Sequence, residues 1–249
     1  MKKIFLSLLT VLFLTTSFYK TEELERKETP SITNVTNDPP VAKGAASSGS
    51  SADIYNGLDF TNVSVLNNEV FDKAYLGFTN LKKEGKLNQA TSLITICDFS
   101  LSSTEKRLWV IDVEQKKVVF NTLVAHGKNT GEEFAENFSN TESSLQSSLG
   151  FYITETTYNG SNGYSLKLLG MDLGYNDAAL QRAIVMHGAD YVSEDFISNQ
   201  KRLGRSWGCP AVPRALAKPI IDAIKGETML FIYYPDMKYL SNSKWLKDL

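Results

Sequence analysis

From Leu93 to Tyr234 the chain is a succession of short apolar runs, rich in β-branched and aromatic residues, each ended by a polar or glycine-containing turn. Such runs are too short for helices of ordinary length and read as strands. They are Leu93–Phe99, Leu108–Val113, Val118–Ala125, Gly150–Thr156, Tyr164–Leu168, Ala183–His187 and Met229–Tyr234. The polar stretch Glu114–Lys117 predicts a hairpin between the second and third, and Asn159–Gly163 predicts another between the fourth and fifth. Helical periodicity is confined to two places. Val70, Ala74, Tyr75, Phe78 and Leu81 predict a helix with Asn67 or Asn68 as cap and Gly85 as its end. Pro213 to Ile224 predicts a second, with Leu216, Ile220, Ile221 and Ile224 on one face and Gly226 as its stop; Pro219 predicts a late start or a kink. The expected fold is therefore mainly β, a β-sandwich or barrel-like core with a few helices and a short helical N-terminal lead-in.

The N-terminal quarter has a different character. Lys2 and Lys3 precede Ile4–Leu14, apolar except for Ser7 and Thr10, and Thr15-Thr16-Ser17 follows. This is the pattern of an export signal, and the apolar run is short for a bilayer span. No cysteine follows it to carry a lipid, and no Ala-x-Ala site marks a cleavage point. An uncleaved anchor thus stays open and would be the chain's only membrane contact. The expected division is a signal peptide or anchor over 1–20, a disordered linker over 21–52, a helical lead-in over 53–90 and the main domain over 91–249. The linker is Glu-, Lys-, Thr-, Pro- and Ser-rich and contains Pro39-Pro40 and Gly44–Ser51. A net charge of −2, with no basic patch interleaved with aromatics, argues against nucleic acid as a partner. Gly127–Gly131 lacks the spacing and the Lys-Ser/Thr pair of a phosphate-binding loop.

One loop carries the chemistry. Arg205-Ser206-Trp207-Gly208-Cys209-Pro210-Ala211-Val212 holds one of the two cysteines, and His187, one of the two histidines, ends an apolar run upstream. A thiol near neutral pH needs a base to become a nucleophile, and few other bases are on offer. Two alternatives compete for the same residues. Export would permit a Cys97–Cys209 disulfide, which would leave the site inert. A zinc site would need Cys97, Cys209, His126 and His187 together, and no closely spaced pair nucleates one.

His187-Gly188, followed by a loop and Ser206-Trp207-Gly208-Cys209, resembles the His…Ser-His-Gly-Cys signature of the YkuD-type L,D-transpeptidases of murein. The likeness is to a divergent branch and extends over about residues 90–235. Val124-Ala125-His126-Gly127, Ser147–Tyr152 and Arg182–Val192 fit it as well. Trp207 stands where most members have a second histidine, and Pro210-Ala211 where many have an apolar residue and an arginine.

The resemblance implies roles. Cys209 is the expected nucleophile and His187 the base, oriented by a backbone carbonyl or hydroxyl. The N–H groups of Gly208 and Cys209 would hold the oxyanion, with Ser206 orienting the loop or bonding near the base. Substrate contacts are expected from His126, Gly188, Arg202, Arg205 and Trp207. For the two arginines a solvated loop face is the plain alternative, and for His126 a structural role at a strand end. The implied activity is 3→3 cross-linking of peptidoglycan tetrapeptide stems through a cysteine thioester, with no metal or organic cofactor. An L,D-carboxypeptidase on the same residues, or a non-catalytic cell-wall binder, is the alternative. The implied place is the periplasm or cell envelope.

Overall fold

The computed structural model describes residues 50–247. The expected export segment over 1–20, and the linker up to residue 49, lie outside the described residues. Ser51 and Ala52, at the expected end of the linker, open a first helix, α1 (Ser51–Tyr55). Its cause is local: Ser50 and Asp53 form a reciprocal capping box, satisfying N–H groups that have no intrahelical acceptor. Helix α2 (Asn68–Lys83) is capped by the Asn67 side chain, which accepts from the Glu69 N–H. Its buried face, Val70, Phe71, Ala74, Phe78 and Leu81, packs in one core with the sheet. No helix among the described residues is long and apolar enough to cross a membrane.

Eight strands make one sheet: β1 (Leu93–Asp98), β2 (Leu108–Asp112), β3 (Lys117–Thr122), β4 (Gly150–Gly160), β5 (Gly163–Gly170), β6 (Val185–Ala189), β7 (Ala211–Pro213) and β8 (Met229–Tyr233). Their order is β3-β2-β1-β8-β4-β5-β6-β7. Pairing is antiparallel except for β1 with β8 and β6 with β7. The β2–β3 hairpin turns at the expected polar residues. In the β4–β5 hairpin Gly160 pairs with Gly163, leaving Ser161-Asn162 as a two-residue loop, and Gly163 takes φ +78°. Strands β1, β2 and β8 are buried almost throughout, so their alternate side chains are covered on both faces.

The run expected as a single strand to Ala125 divides. β3 ends at Thr122, and the chain then leaves the hairpin. Ala125 makes a two-way backbone bridge to Ala211 of β7, with N···O distances of 2.8 and 3.3 Å. The two edges of the sheet are thereby brought together, and the sheet curls into a nearly closed barrel, which removes open edges. The fold is mainly β, as expected.

Helix α4 (Arg214–Ile224) follows β7 directly and runs unbroken through Pro219. Pro219 is on the exposed side, where its missing N–H leaves one carbonyl to water. Ala217, Ile220, Ile221 and Ile224 face inward, and the helix packs over β6. Three elements had no clear periodic signal: α3 (Glu194–Gln200), α5 (Met237–Asn242) and a 3-10 turn at Lys244–Leu246. The last two are held from the core: Trp245 is buried with its indole N–H on the Met171 carbonyl at 2.8 Å, and the Asp172 carboxylate accepts from Ser243 and Tyr239.

Candidate active site

Strand β6 and the loop entering β7 form the site. In their parallel pairing His187 lies opposite Ala211. Cys209, two residues before Ala211, is level with the start of β6, where the Val185 N–H donates to its Sγ at 3.4 Å. The thiol in turn lies 3.8 Å from the Ala183 carbonyl. Both cysteines are free; Cys97 is buried on β1, and burial pushes its thiol up to about 12. Among the described residues no three His, Cys, Asp or Glu side chains gather as a metal cluster.

His187 is buried, and its Nδ1 is 3.2 Å from the Gly188 carbonyl. A carbonyl only accepts, so Nδ1 carries the proton and Nε2 is the basic nitrogen. Burial first, and the charge of Arg214 next, hold the imidazole below its ordinary value, so it is neutral near pH 7. Among the described residues no hydrogen bond joins His187 to the Cys209 sulfur. Cys209 is half-buried, and desolvation pushes its thiol up; the Val185 N–H and the charge of Arg182 act in the opposite direction.

Ser206 braces the loop that carries Cys209. Its Oγ donates to the Cys209 carbonyl at 2.6 Å and accepts the Gly208 N–H at 3.0 Å. Its backbone pairs with the chain around His126: Ser206 N–H to His126 O at 3.0 Å, and Lys128 N–H to Ser206 O at 2.7 Å. The expected pair of oxyanion donors is thus reduced. The Gly208 N–H is spent on Ser206, whereas the Cys209 N–H meets no acceptor among the described residues.

Gly208 has φ +124°, and a Cβ there would stand 2.7 Å from the Gln146 carbonyl oxygen. Gly208→Ala is therefore expected to cost about 1–3 kcal/mol of stability and to slow modification of Cys209 more than tenfold. Denaturant melts and intact-mass time courses on the same preparation check both.

The expected substrate residues divide. Trp207 is 77% exposed beside Cys209. His126 is 1% exposed: Arg107 donates to its Nδ1 at 2.8 Å, and its Nε2–H faces the Gly131 carbonyl at 3.3 Å. Both ring nitrogens are thus engaged within the protein, as in the structural alternative for His126. Arg202 and Arg205 both pair with Glu132, at 2.9 and 2.6 Å, and Arg205 also donates to the Lys128 and Gly131 carbonyls. They clamp the loop after His126. The adjoining cleft of about 320 Å³ is lined by that loop and Arg205, without Cys209 or His187. Gly188 supplies the carbonyl that orients His187, and it admits α4: a Cβ there would be 2.8 Å from the Ala217 Cβ.

Three residues near the sulfur carry no motif of their own: Arg182, Val185 and Tyr191. The Tyr191 phenol is pushed up to about 12, by burial first and by the Cys209 charge second. Their one sequence signal is proximity to His187 in the run Arg182–Val192.

A family of sequences described as the L,D-transpeptidase catalytic domain matches residues 62–233, which include both the sheet and the site. No curated protein matches the chain. Solved structures similar to it include an L,D-transpeptidase from Mycobacterium smegmatis, at 10% identity and TM-score 0.35, covering 57% of this chain and 59% of that one. The helical cell shape determining protein Pgp2 from Campylobacter jejuni is similar at 14% identity and TM-score 0.40, covering 66% and 56%. An L,D-transpeptidase from Mycobacterium tuberculosis is similar at 12% identity and TM-score 0.34, covering 57% and 58%. The chain thus spans less than two thirds of the length of each of these structures. The family match covers well over half of the chain, from before α2 to the end of β8, and the chain belongs to the L,D-transpeptidase catalytic domain family.

Proposed function

We propose that the protein is an exported peptidoglycan L,D-transpeptidase that works through a thioester on Cys209. The observation that carries this is the pairing of β6 with the loop before β7. It sets a half-buried thiol beside the strand whose histidine is in its basic tautomer. In the first half-reaction the Cys209 S–H proton passes to His187 Nε2, and the sulfur attacks the carbonyl of the third residue of a tetrapeptide stem. The Cys209 N–H is the donor available to the oxyanion. The C–N bond to the terminal D-alanine then breaks, and the His187 proton goes to the departing amine. In the second half-reaction an amine of a neighbouring stem attacks the thioester, loses its proton to His187 and releases the Cys209 sulfur. The result is a 3→3 cross-link. The transfer requires the amine and His187 Nε2 to come within hydrogen-bond reach of each other at the thioester.

Trp207, exposed next to the nucleophile, supplies an apolar surface for the stem, and the cell envelope is the place where such stems occur. Product analysis tests the reading. Purified protein incubated with disaccharide-tetrapeptide is expected to release D-alanine and to form 3→3 dimers. Release of D-alanine with tripeptide products alone would replace transfer by hydrolysis. Absence of both D-alanine release and a mass adduct on the protein would overturn catalysis and leave a binding protein.

A further inference from the structure

We infer that Arg182 is the electrostatic partner of the nucleophile, a fixed cation whose counter-ion is the Cys209 thiolate. The inference rests on the thioester reading above only for its consequence; the interaction itself is a property of the folded protein. Arg182 stands immediately before the segment against which the sulfur packs. Ala183 takes φ +55°, a left-handed turn unusual for a residue with a Cβ, and its carbonyl is 3.8 Å from Sγ. Two residues on, the Val185 N–H reaches Sγ at 3.4 Å.

The guanidinium is held rigidly. Nη1 donates to the Ser139 carbonyl at 2.8 Å and to Ser148 Oγ at 2.5 Å. Nη2 donates to Ser144 Oγ at 3.1 Å and to the Gln146 carbonyl at 2.7 Å. All of these acceptors are neutral, and no carboxylate forms an ion pair with Arg182 among the described residues. Its Nε is shut off from solvent and has no acceptor. Arg182 is half-buried and its charge has no carboxylate to offset the desolvation, so an anion forming beside it would be favoured. Of its charge partners, the Tyr152 phenol is buried and pushed far above the physiological range; the other is Cys209, whose thiol desolvation pushes up and Arg182 pulls back down.

The other groups facing the sulfur do not supply the charge. His187, on β6, is neutral, and the phenol of Tyr191, beyond the end of β6, is pushed up to about 12. Arg214, on α4, acts on both of them but is engaged in a two-point ion pair with Asp190. The same fork also sets the geometry. Ser147, inside the segment Arg182 clamps, donates to the Gly208 carbonyl at 3.1 Å, so cation and nucleophile loop are braced by one stretch of chain.

The test is the pH dependence of iodoacetamide alkylation, read at Cys209 by peptide mass mapping, which needs no peptidoglycan substrate. Buried Cys97 is the internal control, since it stays unmodified while the fold is intact. Relative to wild type, Arg182→Gln is expected to raise the Cys209 midpoint by about one pH unit, and Arg182→Lys, which keeps the charge, by less than half of that. Acylation by tetrapeptide in Arg182→Gln is expected to fall about tenfold at pH 7 and to recover as pH rises. An unchanged Cys209 midpoint in Arg182→Gln with Cys97 protected overturns the inference. So does a shift in Arg182→Lys as large as in Arg182→Gln, because then the fork and not the charge matters. If Arg182→Gln exposes Cys97, the decision rests on Arg182→Lys, where a shift beyond half a unit overturns it. Exposure of Cys97 in both variants makes Arg182 a folding residue only and overturns it too. A normal alkylation result with no turnover would instead indict the transpeptidase reading and leave the inference standing.

Discussion

Replacing Cys209 by Ala is expected to abolish the acyl adduct with a tetrapeptide stem, and replacing His187 by Gln to leave an adduct that forms about 10²–10⁴ times more slowly at pH 7. The two differ because in the proposed mechanism the sulfur is the bond-forming atom, whereas the histidine only carries its proton. No second imidazole is near: His126 is buried with both ring nitrogens engaged. The pH dependence separates the roles further. His187 acts as a base when neutral, and burial and Arg214 hold its value below the ordinary histidine range. Wild-type acylation should therefore lose activity only below about pH 6.5. In His187→Gln that acidic limb should vanish, leaving a rate that climbs with pH as the Cys209 thiol ionises unaided. Intact-mass time courses between pH 5 and 9 would measure this. An unaltered adduct on Cys209→Ala, or a His187→Gln profile that keeps the wild-type limb, would remove these residues from the proposed mechanism.

The strand runs, their two hairpins and the two periodic helices were legible because each buries a face whose spacing is written locally. What was not legible arises between distant segments. Leu123–Ala125 looked like the end of a strand because it is apolar, yet it crosses from the β3 hairpin to close the sheet on Ala211. β7 is too short to leave a pattern, and the closing turns at α5 and Trp245 depend on Asp172 and Met171 far upstream. At the site, Cys209 and His187 stood out because they are rare residue types in small-residue settings. Arg182 did not, because an arginine before a strand has no signature until the fold sets its guanidinium on Ser139, Ser144, Gln146 and Ser148. His126 is ambiguous in the sequence for a related reason. It too precedes a glycine at a strand end, and only the burial of Arg107 beneath it shows that both nitrogens serve the structure.

Below neutral pH the protein is expected to lose stability steeply, with His126 as a principal cause. Arg107 is fully buried, sits 4.7 Å over the Phe99 ring and gives its hydrogens to the Val124 and Leu101 carbonyls and to His126 Nδ1. Burial first, and this guanidinium second, push the His126 imidazole down to about 3. An unfolded chain takes up that proton near pH 6.5. Below about 6.5 the unfolded state therefore binds more protons than the folded one, and stability falls as pH falls, levelling off only beneath the folded value. The loss from this one group is about 2 kcal/mol between pH 6.5 and 5 and on the order of 4–5 kcal/mol by pH 3. Asn at position 126 retains an oxygen near the place of Nδ1 to accept from Arg107, and it does not titrate. His126→Asn is thus expected to be less stable than wild type at pH 7.5, and the deficit should shrink toward pH 5. Taking the difference between the two proteins cancels the like-signed contribution of His187 and the opposite one of buried Asp98 and Asp172, whose carboxyls are pushed up by burial. Urea melts at half-unit intervals from pH 7.5 to 4.5 would read that difference. Parallel stability curves for the two proteins would mean that His126 takes up its proton in the fold as readily as in the unfolded chain, and that Arg107 does not donate to it.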